Sequence, residues 1–147
     1  MPMLNLGFMV SVACSVMLQA TTPQEPVQTR ELLGECRITA YCSCEKCCGQ
    51  WAANRPVDPA TGEPIVTGAR GTQLTPGYSV ASNLPFGTVL EIDGFDGMQF
   101  EVEDRTSQAT QRRYNGMTVD IYMDDHDSCY DLMSGKDAWS NVYIVKE

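Results

Sequence analysis

Basic side chains are scarce in this chain: 10 Lys and Arg stand against 19 Asp and Glu, a net charge of −9 with a pI near 4.4. No run of Lys or Arg exceeds the pair Arg112-Arg113. Binding a phosphate backbone needs a basic footprint, so nucleic acid is not an expected partner. An anionic membrane surface is set aside on the same ground. Any anionic substrate has to be recognised by local geometry, because long-range attraction works against it. Histidine is nearly absent, with His126 alone. No charged side chain occurs in residues 1–24. No internal repeat is present, and the 147 residues fit one domain large enough to bury a core.

What the chain does have is a hydrophobic fraction of 43% with 20% charged residues, a globular balance. It also has seven cysteines. One of them, Cys14, lies in the apolar stretch Leu4 to Ala20, which reads as a signal peptide or an N-terminal membrane anchor over residues 1–20. Ala20 is a small residue suited to the cleavage point, although the usual basic n-region is missing. Cys14 after Ser-Val-Ala is read as an ordinary cysteine of that stretch rather than an acylation site. The six remaining cysteines, an even number behind such a leader, imply an extracytoplasmic location and disulfides.

Residues 21–33 read as a linker, with prolines, polar residues and no sustained period. The folded part is expected over 34–147. Cys36, Ile38 and Ala40 alternate with Arg37, Thr39 and Tyr41, the pattern of a half-buried strand. That strand runs into Cys42-Ser-Cys44-Glu-Lys-Cys47-Cys48, four cysteines in seven residues. Zinc needs four ligands in a tetrahedron, and adjacent Cys47 and Cys48 fit that poorly. Disulfides are therefore the preferred reading, with no metal or cofactor expected. Residues 50–77 are rich in proline, glycine and turn chemistry and read as loop. Further strands are expected at Tyr78–Asn83, Thr88–Ile92, Met98–Val102, Met117–Met123 and Asn141–Val145. Asp93-Gly94 and Asp96-Gly97 mark a hairpin, and a short helix starts among Asp124-Asp125-His126-Asp127 and stops at Gly135. Six short strands, one short helix and long loops make a mainly β chain folded as a small barrel.

Two of those strands each deliver one aspartate. Val102-Glu-Asp104-Arg105 and Val119-Asp120-Ile121 are short apolar runs carrying an acid. Such residues are candidates for paired carboxylates beside a β-structure. The plainer alternative is that Asp104 caps a turn and Asp120 closes a strand.

Laid out in order, Ile38-Thr-Ala-Tyr-Cys-Ser-Cys-Glu-Lys-Cys-Cys-Gly49, Gly71-Thr72, Val80-Ala81, Leu84-Pro-Phe-Gly-Thr88, Val102-Glu-Asp-Arg105, Asn115-Gly-Met-Thr-Val-Asp-Ile-Tyr-Met123 and His126 resemble the three-aspartate (3D) domain family. That family is a double-psi β-barrel, similar to the catalytic barrel of membrane-bound lytic transglycosylase A and more distantly to rare lipoprotein A and the expansins. The resemblance covers roughly Gly34 to Val145. It implies peptidoglycan glycan strands as partner and glycan-strand cleavage as activity, in a monomer. Asp104 and Asp120 match two of the family's three aspartates. By that similarity Asp120 is the acid/base and Asp104 tunes it or stabilises positive charge on the sugar. The first family aspartate is replaced by Asn83, which can hydrogen-bond a sugar but carries no charge. Arg105-Thr106 stands where Thr-Gly is usual, and the loop from Asp104 to Asp120 is longer than typical. Thr39 and Tyr41 are further candidates for a substrate groove, with Trp51 able to stack on a sugar face. Trp139 is assigned to packing and His126 to the helix start.

Cys36 and Cys129 stand apart from the cysteine cluster and are expected to pair with each other. Two other functions compete with the enzyme. One is a non-catalytic wall-binding module of expansin type, which Asn83 favours. The other is a secreted scaffold in which Cys42, Cys44, Cys47 and Cys48 hold zinc.

Overall fold

A computed structural model describes residues 26–147. The expected leader over residues 1–20, with Cys14 and Ala20, lies outside the described residues. Six strands are present: β1 (Thr29–Tyr41), β2 (Ser79–Ala81), β3 (Val89–Ile92), β4 (Phe100–Asp104), β5 (Thr118–Tyr122) and β6 (Trp139–Lys146). Three short helices accompany them: α1 (Glu45–Cys48), α2 (Gln108–Arg113) and α3 (His126–Met133). The strands close into one barrel in the order β1-β5-β2-β4-β3-β6. Pairs β1·β5 and β2·β4 are parallel and the other four are antiparallel. This is the expected mainly β, six-stranded barrel with long loops, with α1 and α2 in addition to the expected helix.

Strand alternation fills the interior. Ile38, Val80, Leu90, Phe100, Val102, Val119, Ile121 and Val142 are each at most 1% exposed and form one cluster. Burying eight such side chains is the main stabilising term, at about 1.5–3 kcal/mol apiece before chain entropy is subtracted. Leu132 and Met133 of α3 pack against the same cluster, as their spacing with Cys129 predicted. Asp125 caps α3 by accepting from Ser128 N at 2.7 Å, and Gly135 follows its end at a φ of 70°. No helix among the described residues is long and apolar enough to cross a membrane.

One boundary differs from the sequence reading. β1 begins at Thr29, inside the stretch read as linker. Thr29 to Leu32 pair with Lys146 back to Tyr143, and the register shifts between Leu32 and Gly34. This ribbon stands clear of the core, so no burial pattern betrays it. It is held by ladder bonds, by Arg30 over the Tyr143 ring at 4.5 Å, and by the exposed Glu31–Lys146 pair.

Candidate functional site

Asp120 is the register partner of Ala81 on one side of β2, and Asp104 is its partner on the other. Val80 and Ile121 point into the core, so Ala81 and Asp120 point outward. In β4 the same alternation would turn Asp104 inward after Val102. A register shift between Val80 and Ala81 leaves Glu103 as an extra residue and restores Asp104 to the outer face. Both acids therefore open on one face, with the small Ala81 side chain between them. Their backbones are two ladder spacings apart, roughly 10 Å.

β1 completes the face. Thr39 and Tyr41 are two residues apart and share a side. The Thr39 hydroxyl donates to Asp120 Oδ1 at 2.8 Å, and the Tyr41 hydroxyl donates to Asp104 Oδ2 at 2.7 Å. Tyr41 meets Tyr122 edge-on with ring centroids 5.5 Å apart. Val66 and Leu74, from the long loop between α1 and β2, cover Tyr122 in a second small apolar cluster. Burial pushes the Asp120 carboxyl up to about 6, against the Thr39 hydrogen bond and the Arg37 charge, with Asp104 adding to the rise. Burial and the Asp104 carboxylate push the Tyr41 hydroxyl upward too, so it stays a donor.

The loop over residues 67–73 supplies what the sequence reading missed. The amides of Ala69 and Arg105 both donate to Asp104 Oδ1, at 2.8 and 2.9 Å. Gly68 makes this approach possible: a Cβ there would sit 2.5 Å from the Glu103 carbonyl oxygen and 2.7 Å from Leu74 Cδ2. Glu103, only 8% exposed, accepts from Thr72 at 2.9 Å and from Ser79, tying loop to strand. Arg105 lies over the Phe86 ring at 3.5 Å and donates to the Ser82 carbonyl at 3.0 Å, fixing the turn after β2. The run Gly68-Ala-Arg-Gly-Thr72 was the available signal, but turn chemistry does not say which strand a turn covers.

The other candidates stand apart. Asn83 is exposed and lines an open cleft of about 480 Å³ with Gln111, Asn115 and Gly116. Among the described residues it makes no hydrogen bond to either carboxylate. Trp51 lies on a 3-10 turn with its side chain 76% exposed. Trp139, assigned to packing, meets Tyr114 edge-on at 6.0 Å but stays 44% exposed. A cleft of about 590 Å³ is bounded by Ser43, Gln50, Arg55 and Pro64 rather than by the aspartates.

The cysteines depart from expectation. All six among the described residues are free thiols. Cys36 is buried in the barrel core, six residues up β1 from Cys42, roughly 20 Å along the strand. Cys129 instead faces Cys42 and Cys47, so the expected pairing of Cys36 with Cys129 is not formed. Within the cluster, Cys42 and Cys47 sulfurs are 3.7 Å apart, far beyond the ~2.0 Å of a disulfide. His126, expected to serve the helix start, leaves capping to Asp125 and turns its ring to these sulfurs.

No protein-family model matches this chain, and no curated protein matches it. Among solved structures it is similar to MltA from E. coli, at 22% identity over 56% of this chain and 28% of that one, with a TM-score of 0.40. A variant of E. coli lytic transglycosylase MltA in an apo form gives 22% identity, coverage of 55% and 27%, and a TM-score of 0.39. The chain thus spans less than a third of the length of either.

Proposed function

We propose that this chain cleaves peptidoglycan glycan strands by a lytic-transglycosylase type of reaction, outside the cytoplasm and as a monomer, with residues 34–147 as the catalytic barrel. The carrying observation is Asp120: an outward-facing acid whose carboxyl burial pushes up to about 6, across Ala81 from a second carboxylate. The motif resemblance supplies the substrate class, and the physical chemistry supplies the role. A general acid works best with its proton affinity near the working pH.

One such acid is enough for this reaction. Asp120 protonates the glycosidic oxygen as that bond breaks. The same carboxylate then removes the proton from the C6 hydroxyl of the muramic acid, which attacks its own anomeric carbon. The nucleophile is tethered, so it acts at a high effective concentration and no external base is needed. Asp104 opens on the same face and stabilises positive charge developing on the sugar ring. Thr39 aims the Asp120 carboxyl and Tyr41 holds Asp104 in place. A nucleophile–acid pair would need carboxyls about 5 Å apart, which the intervening strand works against.

Incubating purified sacculi with the wild type and with Asp120→Asn tests the reading. Release of 1,6-anhydromuramoyl ends by the wild type and not by the variant is expected; equal release by both would sink the assignment. A second reading, a non-catalytic wall-binding module, is favoured by Asn83 in place of a family aspartate. It requires that both proteins pull down with sacculi and neither releases fragments.

A further inference from the structure

Cys42, Cys44, Cys47 and His126 converge from two distant parts of the chain, with all four ligand atoms within 4.8 Å of one another. Cys42 follows β1 directly. Cys44 and Cys47 are brought together by α1, where Cys47 N and Cys48 N both bond the Cys44 carbonyl at 3.2 and 2.9 Å. His126 is the first residue of α3, 79 positions after Cys47.

Three of the separations come close to the edges of a metal tetrahedron. With Zn–S near 2.3 Å and Zn–N near 2.0–2.1 Å, tetrahedral angles require S···S of ~3.8 Å and S···N of ~3.6 Å. The structure has Cys42 Sγ to Cys47 Sγ at 3.7 Å, Cys47 Sγ to His126 Nδ1 at 3.6 Å, and Cys44 Sγ to His126 Nδ1 at 4.0 Å. Cys48 takes no part: its thiol turns to the Cys42 carbonyl at 3.1 Å. That removes the objection that adjacent cysteines cannot share one ion, because only one of the two is a ligand.

We propose that Cys42, Cys44, Cys47 and the Nδ1 of His126 bind one zinc ion as a closed structural site. Three thiolates and one imidazole are a soft donor set that favours zinc over calcium or magnesium. Four protein ligands leave no position open for a reacting water, so the ion staples rather than catalyses. It joins the end of β1 to the start of α3, one residue beyond Tyr41, and so helps to hold the Tyr41–Asp104 contact. This inference is independent of the glycan-cleaving role.

The test is metal analysis of the full chain purified under argon, with thiols counted by alkylation and mass spectrometry. One zinc per chain is expected. Cobalt substitution is expected to give thiolate-to-cobalt charge-transfer absorption and tetrahedral ligand-field bands. His126→Ala, an exposed position whose loss leaves the core intact, is expected to lose stoichiometric metal, as is Cys44→Ser. Cys48→Ser is expected to keep it, with circular dichroism confirming that all three variants fold. A metal-free native chain with Cys42 and Cys47 joined as a disulfide would overturn the proposal. So would full metal retention by His126→Ala, or loss of metal from a folded Cys48→Ser.

Discussion

Asp104 and Asp120 flank the same alanine on the same outer face, yet they are held in opposite ways. Asp104 accepts from three fixed donors: the Tyr41 hydroxyl and the amides of Ala69 and Arg105. Asp120 accepts from Thr39 alone among the described residues. Strand alternation delivers Asp120 and the extra residue in β4 delivers Asp104, but the loop over residues 67–73 reaches only Asp104. A carboxylate whose lone pairs are engaged by rigid donors suits a fixed charge, and one with a single donor in a buried setting suits a travelling proton. The difference between two chemically identical groups is thus made by what surrounds each: the end of β1, the loop over residues 67–73 and the turn after β4 all reach Asp104.

Removing the mobile proton is the strongest way to break the contrast. Asp120→Asn is expected to lower release of anhydro ends by roughly 10²–10⁴-fold, the usual share of general acid–base catalysis. Chemical denaturation should show the same variant gaining stability at neutral pH. The sign follows from Asp120 sitting at about 6 when folded, above its ordinary 3.8. Its contribution is complete below pH about 4 and lost as pH rises through about 6. The native state therefore loses on the order of 2–3 kcal/mol across that window, and the asparagine variant does not. Unfolding curves at several pH values check this, and parallel curves for both proteins would contradict it.

The donors on Asp104 come next. Gly68→Ala drives a methyl into the Glu103 carbonyl and is expected to cost about 1–3 kcal/mol of stability by overpacking, while drawing the Ala69 amide away from Asp104. Tyr41→Phe keeps the ring against Tyr122 but removes one donor. It should cost about 1–2 kcal/mol in stability, with turnover reduced and its pH dependence unmoved. The smallest effect sharpens the contrast instead. Thr39→Val removes the hydroxyl that donates to Asp120, so its carboxyl keeps the proton to higher pH. The alkaline limb of the pH–rate profile should move upward, an effect on the order of 1 kcal/mol.

Much of this was legible in the sequence because it rests on a period of two. Ile38, Val102, Val119 and Ile121 mark the inner face, and the same count places Thr39, Tyr41 and Asp120 outside. Asp104 is a subtler case: its apolar run located it, but the extra residue that turns it outward shows only in the ladder. The contribution of Ala69 was out of reach, since it is a backbone amide and any residue carries one. His126 was out of reach for another reason. Nothing in Cys42-Ser-Cys44-Glu-Lys-Cys47 says which residue 79 positions later closes the set, and four neighbouring thiols make disulfides the natural guess. Asn83 and Trp51 entered through composition and motif position, and neither property fixes where a side chain on a loop points.

The ribbon formed by the start of β1 and the end of β6 has one further consequence. Thr29 and Lys146 are direct partners in the ladder, so the backbone leaves the barrel at two adjacent points. A peptide of a few residues joining Thr29 to Lys146 would make the barrel from residue 29 onward circular without disturbing a single strand. A new opening at the exposed turn over residues 60–62 would then give a permuted protein with Asp104 and Asp120 on the same face. The order in which the six strands are threaded is, for this architecture, separable from the shape they make.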